Sequence, residues 1–217
     1  MAPRPPGILL LCLTHEDSLK DTYAPLLKRL DELAPLQRAK TVEEAIRWLE
    51  AKPMAVIVTD GGVTLPANRP ALEKLRSYVR GGGLAIFGLL FPSLTPLNRF
   101  NGFFRRNFNL PWESGDNNRC DFDYNDMCYL PTGTVSDSLP RSYSMKALQI
   151  KDARSYEKIF ISVRDFVTDT LSSPGELIDR AQAAVVGGRM GHGYVVYLGD
   201  VNQEKESDEV ILTLCDR

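Results

Sequence analysis

Through roughly the first half of the chain, short apolar runs alternate with segments whose apolar residues recur every three to four positions. That alternation narrows the fold more than any other feature. Residues 7–13 are apolar throughout, as in a parallel strand covered on both faces. Leu26, Leu27, Leu30 and Leu33 follow at helical spacing, with Pro25 placed for a first turn. Residues 36–39 make a brief second strand. Thr41 and Glu44 form a capping box ahead of a helix that buries Ala45, Ile46 and Leu49. Residues 54–59 read as a third strand. Pro70 opens a helix carrying Leu72, Leu75 and Val79, which ends at Gly81-Gly82-Gly83. Residues 84–87 are a fourth strand, and Thr95-Pro96 begin a helix with Leu97, Phe100 and Phe104 on one face. Such repetition predicts right-handed crossovers around a mainly parallel sheet, an α/β fold.

The second half is less regular. Residues 108–140 are rich in Asn, Asp, Pro and Gly and read as a loop-rich insertion. Strand-like runs follow at 143–150 and 157–163. Residues 183–186 and 194–198 flank a glycine-rich hairpin, Gly187 to Gly193, that holds His192 as an exposed residue. Ser207 caps a last helix with Val210, Ile211 and Leu214 inward. A chain of 217 residues without internal repeat or linker predicts a single α/β domain, 1–217.

The formal net charge of −2 gives no reason to expect nucleic acid or an anionic membrane as partner. The apolar run at 7–13 is too short to span a bilayer. Thr14-His15-Glu16-Asp17 follows it where a secretory leader would carry small residues, which predicts a cytoplasmic chain. The four cysteines lack C-x-x-C spacing, so they form no zinc framework. Cys12 and Cys215 read as small buried apolar groups. Cys120 and Cys128 flank a loop and could pair only in an oxidising compartment. No cofactor is required by the sequence, and no metal is assigned.

Parallel sheets bind ligands beyond the carboxyl ends of their strands. Four segments end strands there: 14–17, 59–62, 87–89 and 199–202. The order of these segments, with the stretches 75–84 and 191–200, resembles the class I glutamine-amidotransferase-like superfamily, nearest its trehalose-utilisation (ThuA-like) branch. The resemblance implies a flavodoxin-like three-layer sandwich with a mainly parallel sheet. It also implies a Cys on the turn after the fourth strand and a His-x-Glu pair after the late strand. Gly88 stands at the Cys position, and Asp200 and Asn202 stand near the pair. Without a thiol or a base to activate it, glutaminase chemistry is not expected.

The candidate site residues follow from these strand ends. His15 and Asp200 are the candidate proton-handling pair; Glu16, Asp60, Gly61, Gly62, Gly88, Leu89 and Asn202 are candidate ligand-binding residues. Gly61-Gly62 would bind an anion or carbonyl through backbone N–H groups, or simply form a tight turn. Residues 120–126 imitate a calcium loop, but Asp126 replaces the required Gly, leaving a weak divalent site at Asp121 and Asp123 or an alternating edge strand. Phe103, Phe104, Phe108 and Trp112 would line a pocket or an interface, or fill a core.

The leading expectation is a catalytically degenerate protein of this fold binding a small polar metabolite. The alternatives are a carbohydrate-directed enzyme using His15 and Asp200, and a non-enzymatic interaction protein using the 108–140 segment. A homo-oligomer is compatible with each.

Overall fold

Strands form here where apolar side chains are covered on both faces. In the computed structural model the described residues are 7–14, 16–162 and 182–216, and the side chains of residues 16–18 are not among them. β1 (Ile8–Leu11), β3 (Ala55–Val58) and β4 (Leu84–Phe87) are buried at every position. Each such Leu, Ile or Val stabilises the fold by roughly 1.5–3 kcal/mol. β2 (Leu36–Ala39) lies at the outer edge, and β9 (Gly193–Leu198) adds beside β4. The ladders β1–β2, β1–β3, β3–β4 and β4–β9 are parallel.

The rest of the sheet overturns the expected mainly parallel, flavodoxin-like sandwich. β5 (Glu113–Tyr124), β6 (Ser142–Lys151), β7 (Lys158–Ser162) and β8 (Ala183–Met190) pair only antiparallel. β5 pairs with β6 and β7, and β8 pairs with both of those strands, so the four close into a small barrel. The antiparallel ladder β8–β9 then joins the barrel to the parallel half, giving the order β2-β1-β3-β4-β9-β8-β6-β5-β7. The physical cause lies in residues 113–124, which the composition marks as loop. Cys120 and Phe122 turn inward while Asp121 and Asp123 turn out, the alternation of a strand with one solvated face. β5 is therefore an interior strand of the barrel, not an edge.

Helices cover the parallel half. α1 (Glu16–Thr22) and α2 (Ala24–Leu33) follow β1, with Leu26 and Leu30 buried. α3 (Val42–Glu50) starts at Thr41, whose Oγ1 accepts the Glu44 N–H at 3.3 Å. Glu44 reaches back one residue further than a capping box would, to the Lys40 N–H at 2.8 Å. α4 (Arg69–Arg80) buries Ala71, Leu75 and Val79.

The helix predicted from Thr95 is two short ones, α6 (Leu97–Phe100) and α7 (Phe103–Phe108), and another short helix, α5 (Phe91–Leu94), precedes them. Pro96 is extended at ψ 137° and Gly102 is left-handed at φ 74°, so the axis breaks twice. Leu97 is left exposed, whereas Phe103, Phe104, Phe108 and Trp112 are core. The Phe87 ring meets those of Phe91, Phe103, Phe104 and Phe108 edge-on, at 5.1 to 5.8 Å. Such pairs add about 0.5–1.5 kcal/mol each beyond their buried area. None of the four cysteines is in a disulfide. α8 (Lys205–Cys215) packs Val210, Ile211 and Leu214 inward.

Only Gly191 and His192 form the β8–β9 turn, since Gly187 and Gly188 lie within β8. Gly191 sits at φ 63°. Gly193 is needed for another reason: a Cβ there would fall 1.9 Å from the Val79 carbonyl oxygen, inside the contact between β9 and α4. Among the described residues, no helix is long and apolar enough to cross a membrane.

Candidate functional site

β1, β3, β4 and β9 are neighbours in that order and run parallel, so their carboxyl ends share one edge of the sheet. Leu13-Thr14, Thr59 to Gly62, Gly88-Leu89 and Gly199 to Asn202 therefore lie side by side, as the strand assignments require. His15 lies outside the described residues, and of Glu16 only the backbone is described, as the first residue of α1.

Asp60 is buried and its carboxylate holds this edge together. Oδ1 accepts the N–H of Gly62 at 2.8 Å and that of Leu13 at 3.3 Å, while Oδ2 accepts the N–H of Thr14 at 3.0 Å. A carboxylate that receives backbone donors in this way is a structural clamp between two turns. The same bond commits the Gly62 N–H, which removes it from any oxyanion role. Gly61 and Gly62 are small because their surroundings are close. A Cβ on Gly61 would lie 2.8 Å from Thr95 Oγ1, and one on Gly62 would lie 2.6 Å from the Leu13 Cβ. The Thr95 hydroxyl beside Gly61 is itself buried and has no hydrogen-bond partner among the described residues.

At the turn from β4 to α5 the strained residue is Leu89, not Gly88. Leu89 has φ 58° and is buried, whereas Gly88 is not left-handed. The Phe91 N–H closes the turn on the Gly88 carbonyl at 3.0 Å. A left-handed branched residue costs about 1–3 kcal/mol, offset here by burial of the side chain in the core on one face of the sheet.

Asp200, at the end of β9, is also engaged by backbone. Oδ1 accepts from Asn202 at 2.7 Å and Gln203 at 3.0 Å, and Oδ2 from the Glu204 N–H at 2.7 Å. Burial raises its pKa, and these donors together with the Ser207 hydroxyl pull it back. The Asn202 side chain is exposed. Around Asp200 stand groups absent from the candidate set: Tyr23, Tyr143, Asp208 and Ser207, which lies inside α8 and not at its cap. Burial and the neighbouring Asp200 charge lift Asp208 to about 6. Burial, then Asp200, raises the Tyr23 phenol as well. The Tyr143 hydroxyl and the Ser207 hydroxyl are 3.4 Å apart. These residues come from the α1–α2 junction, β6 and α8, segments whose meeting no local pattern announces.

His192 is exposed at the β8–β9 turn, as expected. Among the described residues no group of His, Cys, Asp and Glu is arranged to hold a metal ion. A cavity of about 640 Å³ opens at the amino ends of β3 and β4, lined by Met54, Tyr78 and Gly81 to Gly83, on the edge opposite the strand ends just described.

No protein-family model and no curated protein matches the chain. Solved structures share its backbone path. A ThuA-like protein from Bacteroides uniformis ATCC 8492 superposes with a TM-score of 0.64 at 12% identity, over 99% of this chain and 91% of its own. The fold resembles that of a ThuA-like protein. A cytoplasmic protein from Salmonella typhimurium LT2 follows the same path at TM-score 0.52 and 14% identity, covering 96% of this chain and 95% of its own. The β-galactosidase from Bacillus circulans sp. alkalophilus matches at TM-score 0.54 and 13% identity, over 97% of this chain. This chain spans only 31% of the galactosidase. The ThuA-like likeness is thus a likeness of fold, and it extends over nearly the whole of this chain.

Proposed function

We propose that this is a catalytically degenerate ThuA-like protein that binds a small polar metabolite at the carboxyl edge of β1, β3, β4 and β9 and does not hydrolyse glutamine. Leu89 carries the reading. A left-handed turn after β4 holds a buried alkyl group where acyl transfer needs a nucleophile. Asp60 and Asp200, at the ends of β3 and β9 on either side of β4, already accept backbone N–H groups and hold loops in place. The support for a ligand is the Thr95 hydroxyl. Buried hydroxyls are hydrogen-bonded as a rule, and this one faces Gly61 at the edge without a partner.

The test is a titration of ¹⁵N-labelled protein with glucose and with small carboxylic acids, alongside an assay for ammonia release from glutamine. The expected result is saturable movement of the Gly61 and Thr95 amides, weakened roughly five- to tenfold by Thr95→Val, with no ammonia released. Glutamine hydrolysis, or amides that stay still throughout, overturns the reading.

A second reading is favoured by one surface feature. Met127, Tyr129 and Val135, all from the segment between β5 and β6, are large apolar residues left exposed. That suits an interaction surface. Sedimentation that reports a monomer over a wide concentration range, together with capture of no partner by that segment, removes it.

A further inference from the structure

On the barrel side, away from the carboxyl edge, a cavity of about 490 Å³ is lined by residues with complementary chemistry. The rings of Tyr129 and Tyr156 touch at a centroid distance of 5.3 Å and an angle of 35°, and they are 61% and 43% exposed as residues. Their outer faces form a bent apolar platform. Two exposed phenol rings on a chain that buries most of its aromatics are an unusual expense of apolar surface in water.

Behind the platform sits Glu157, which is buried. Its Oε2 accepts the Trp112 indole N–H at 3.0 Å and the Arg154 backbone N–H at 3.0 Å. Among the described residues its Oε1 takes only the Arg154 guanidinium, which leaves one of the roughly four lone-pair sites of the carboxylate open. Gly188 keeps space beside that oxygen: a Cβ there would fall 3.5 Å from Oε1 and 2.4 Å from Leu110.

Arg189 lines the same cavity, is exposed, and has no hydrogen-bond or ion-pair partner among the described residues. Arg154 and Glu157 neutralise one another. Among the described residues the cavity therefore carries one uncompensated positive charge beside an apolar platform, with a spare acceptor and several phenol groups around it.

The geometry points to a binding site for an anionic monosaccharide, a sugar acid or sugar phosphate, seated on Tyr129 and Tyr156 with its charge on Arg189. A sugar ring offers one apolar C–H face for the platform and hydroxyls on its rim for Glu157 and the phenols. The anion supplies the partner that Arg189 lacks. A purely aromatic acid would satisfy the platform and Arg189 but would leave the polar rim unused. This site is separate from the carboxyl edge and stands or falls independently of it.

The experiment is a titration of the full chain with D-glucuronate, glucose 6-phosphate, glucose and benzoate, followed by the Gly187, Gly188 and Arg189 amides and by tyrosine fluorescence. Saturable movement of these amides with glucuronate or glucose 6-phosphate is expected, and the tighter of the two identifies the anion. Arg189→Ala should weaken it roughly tenfold or more, and Tyr129→Ala should weaken it several-fold. Both changes are at exposed side chains, and unchanged melting temperatures verify the fold. Four results overturn the assignment: no saturation with either anionic sugar; equal affinity for glucose, which removes the role of charge; tighter binding of benzoate, which removes the sugar; or affinity indifferent to Arg189→Ala. Movement confined to the Gly61 and Thr95 amides would overturn this site while leaving the carboxyl-edge reading in place.

Discussion

The Asp60 carboxylate accepts the backbone N–H of Thr14 at 3.0 Å, across 46 residues of chain, so the turns after β1 and β3 move as one unit. Asp60→Ala would strip acceptors from Leu13, Thr14 and Gly62 together. The expected loss is about 1–3 kcal/mol of unfolding free energy, because the buried Gly62 donor left unpaired keeps its desolvation cost. Urea denaturation measures it. An unchanged midpoint would mean that the clamp does not matter to the fold and that Asp60 is held in reserve for a ligand.

Asp208 links stability to pH. Burial first, and the Asp200 charge second, raise its folded pKa to about 6, above the roughly 3.9 of an unfolded aspartate. The folded state therefore binds the proton more tightly, and the contribution of this group to stability falls as pH rises from about 4 to about 6. Arg29 acts in the opposite sense on Asp208, and Glu209 in the same sense as Asp200. Asp208→Asn should raise the melting temperature at pH 7.5, leave it nearly unchanged at pH 4, and flatten the slope between. A mutant less stable than wild type at pH 7.5 contradicts that sign.

Leu89→Gly sets two effects against each other. Glycine removes the strain of φ 58°, worth about 1–3 kcal/mol, but also removes a buried side chain, at a cost of about 2–5 kcal/mol. Packing should win, with a net loss of about 1–3 kcal/mol. Calorimetric stabilisation by this substitution would instead mean that the turn is held by its neighbours at the expense of Leu89.

Burial pushes the Cys12 thiol up from its ordinary range, chiefly by desolvation, so little thiolate exists at neutral pH. Iodoacetamide at pH 7 should leave Cys12 unmodified in the native protein and label it fully in 6 M guanidinium. Peptide mass spectrometry gives the answer, and rapid native labelling would place Cys12 in an opening that the packed strand does not have.

Legibility followed the range of the interactions that shaped each element. β1, β3 and β4 are covered on both faces, and Thr41 or Pro70 marks a helix start by chemistry confined to one turn. Those signals are local, and the sequence carries them. β5 was hidden because Asp116 to Arg119 are exposed in succession and its ladder with β6 shifts register between Ser114 and Asn117, so no alternation shows there. The closing pairs β5–β7 and β7–β8 join separate stretches and have no local signature. At the site, the convergence of strand ends was readable from topology. That Asp60 and Asp200 are committed to backbone donors was not, since an acid at a strand end reads the same whether it clamps a loop or meets a ligand. The backbone after β4 was equally silent: glycine advertises a left-handed turn, yet Leu89 and not Gly88 adopts it, held there by burial.

β4 pairs with β3 on one side and with β9 on the other, and β9 is made more than a hundred residues later. During synthesis Leu84 to Phe87 must therefore wait as an open, wholly apolar strand edge while the barrel segments leave the ribosome. Such an edge recruits any extended chain that reaches it. The nascent protein is consequently most prone to aggregate in the interval between the appearance of β4 and that of β9, and its yield in cells should depend on holdase chaperones more than the stability of the finished fold would suggest.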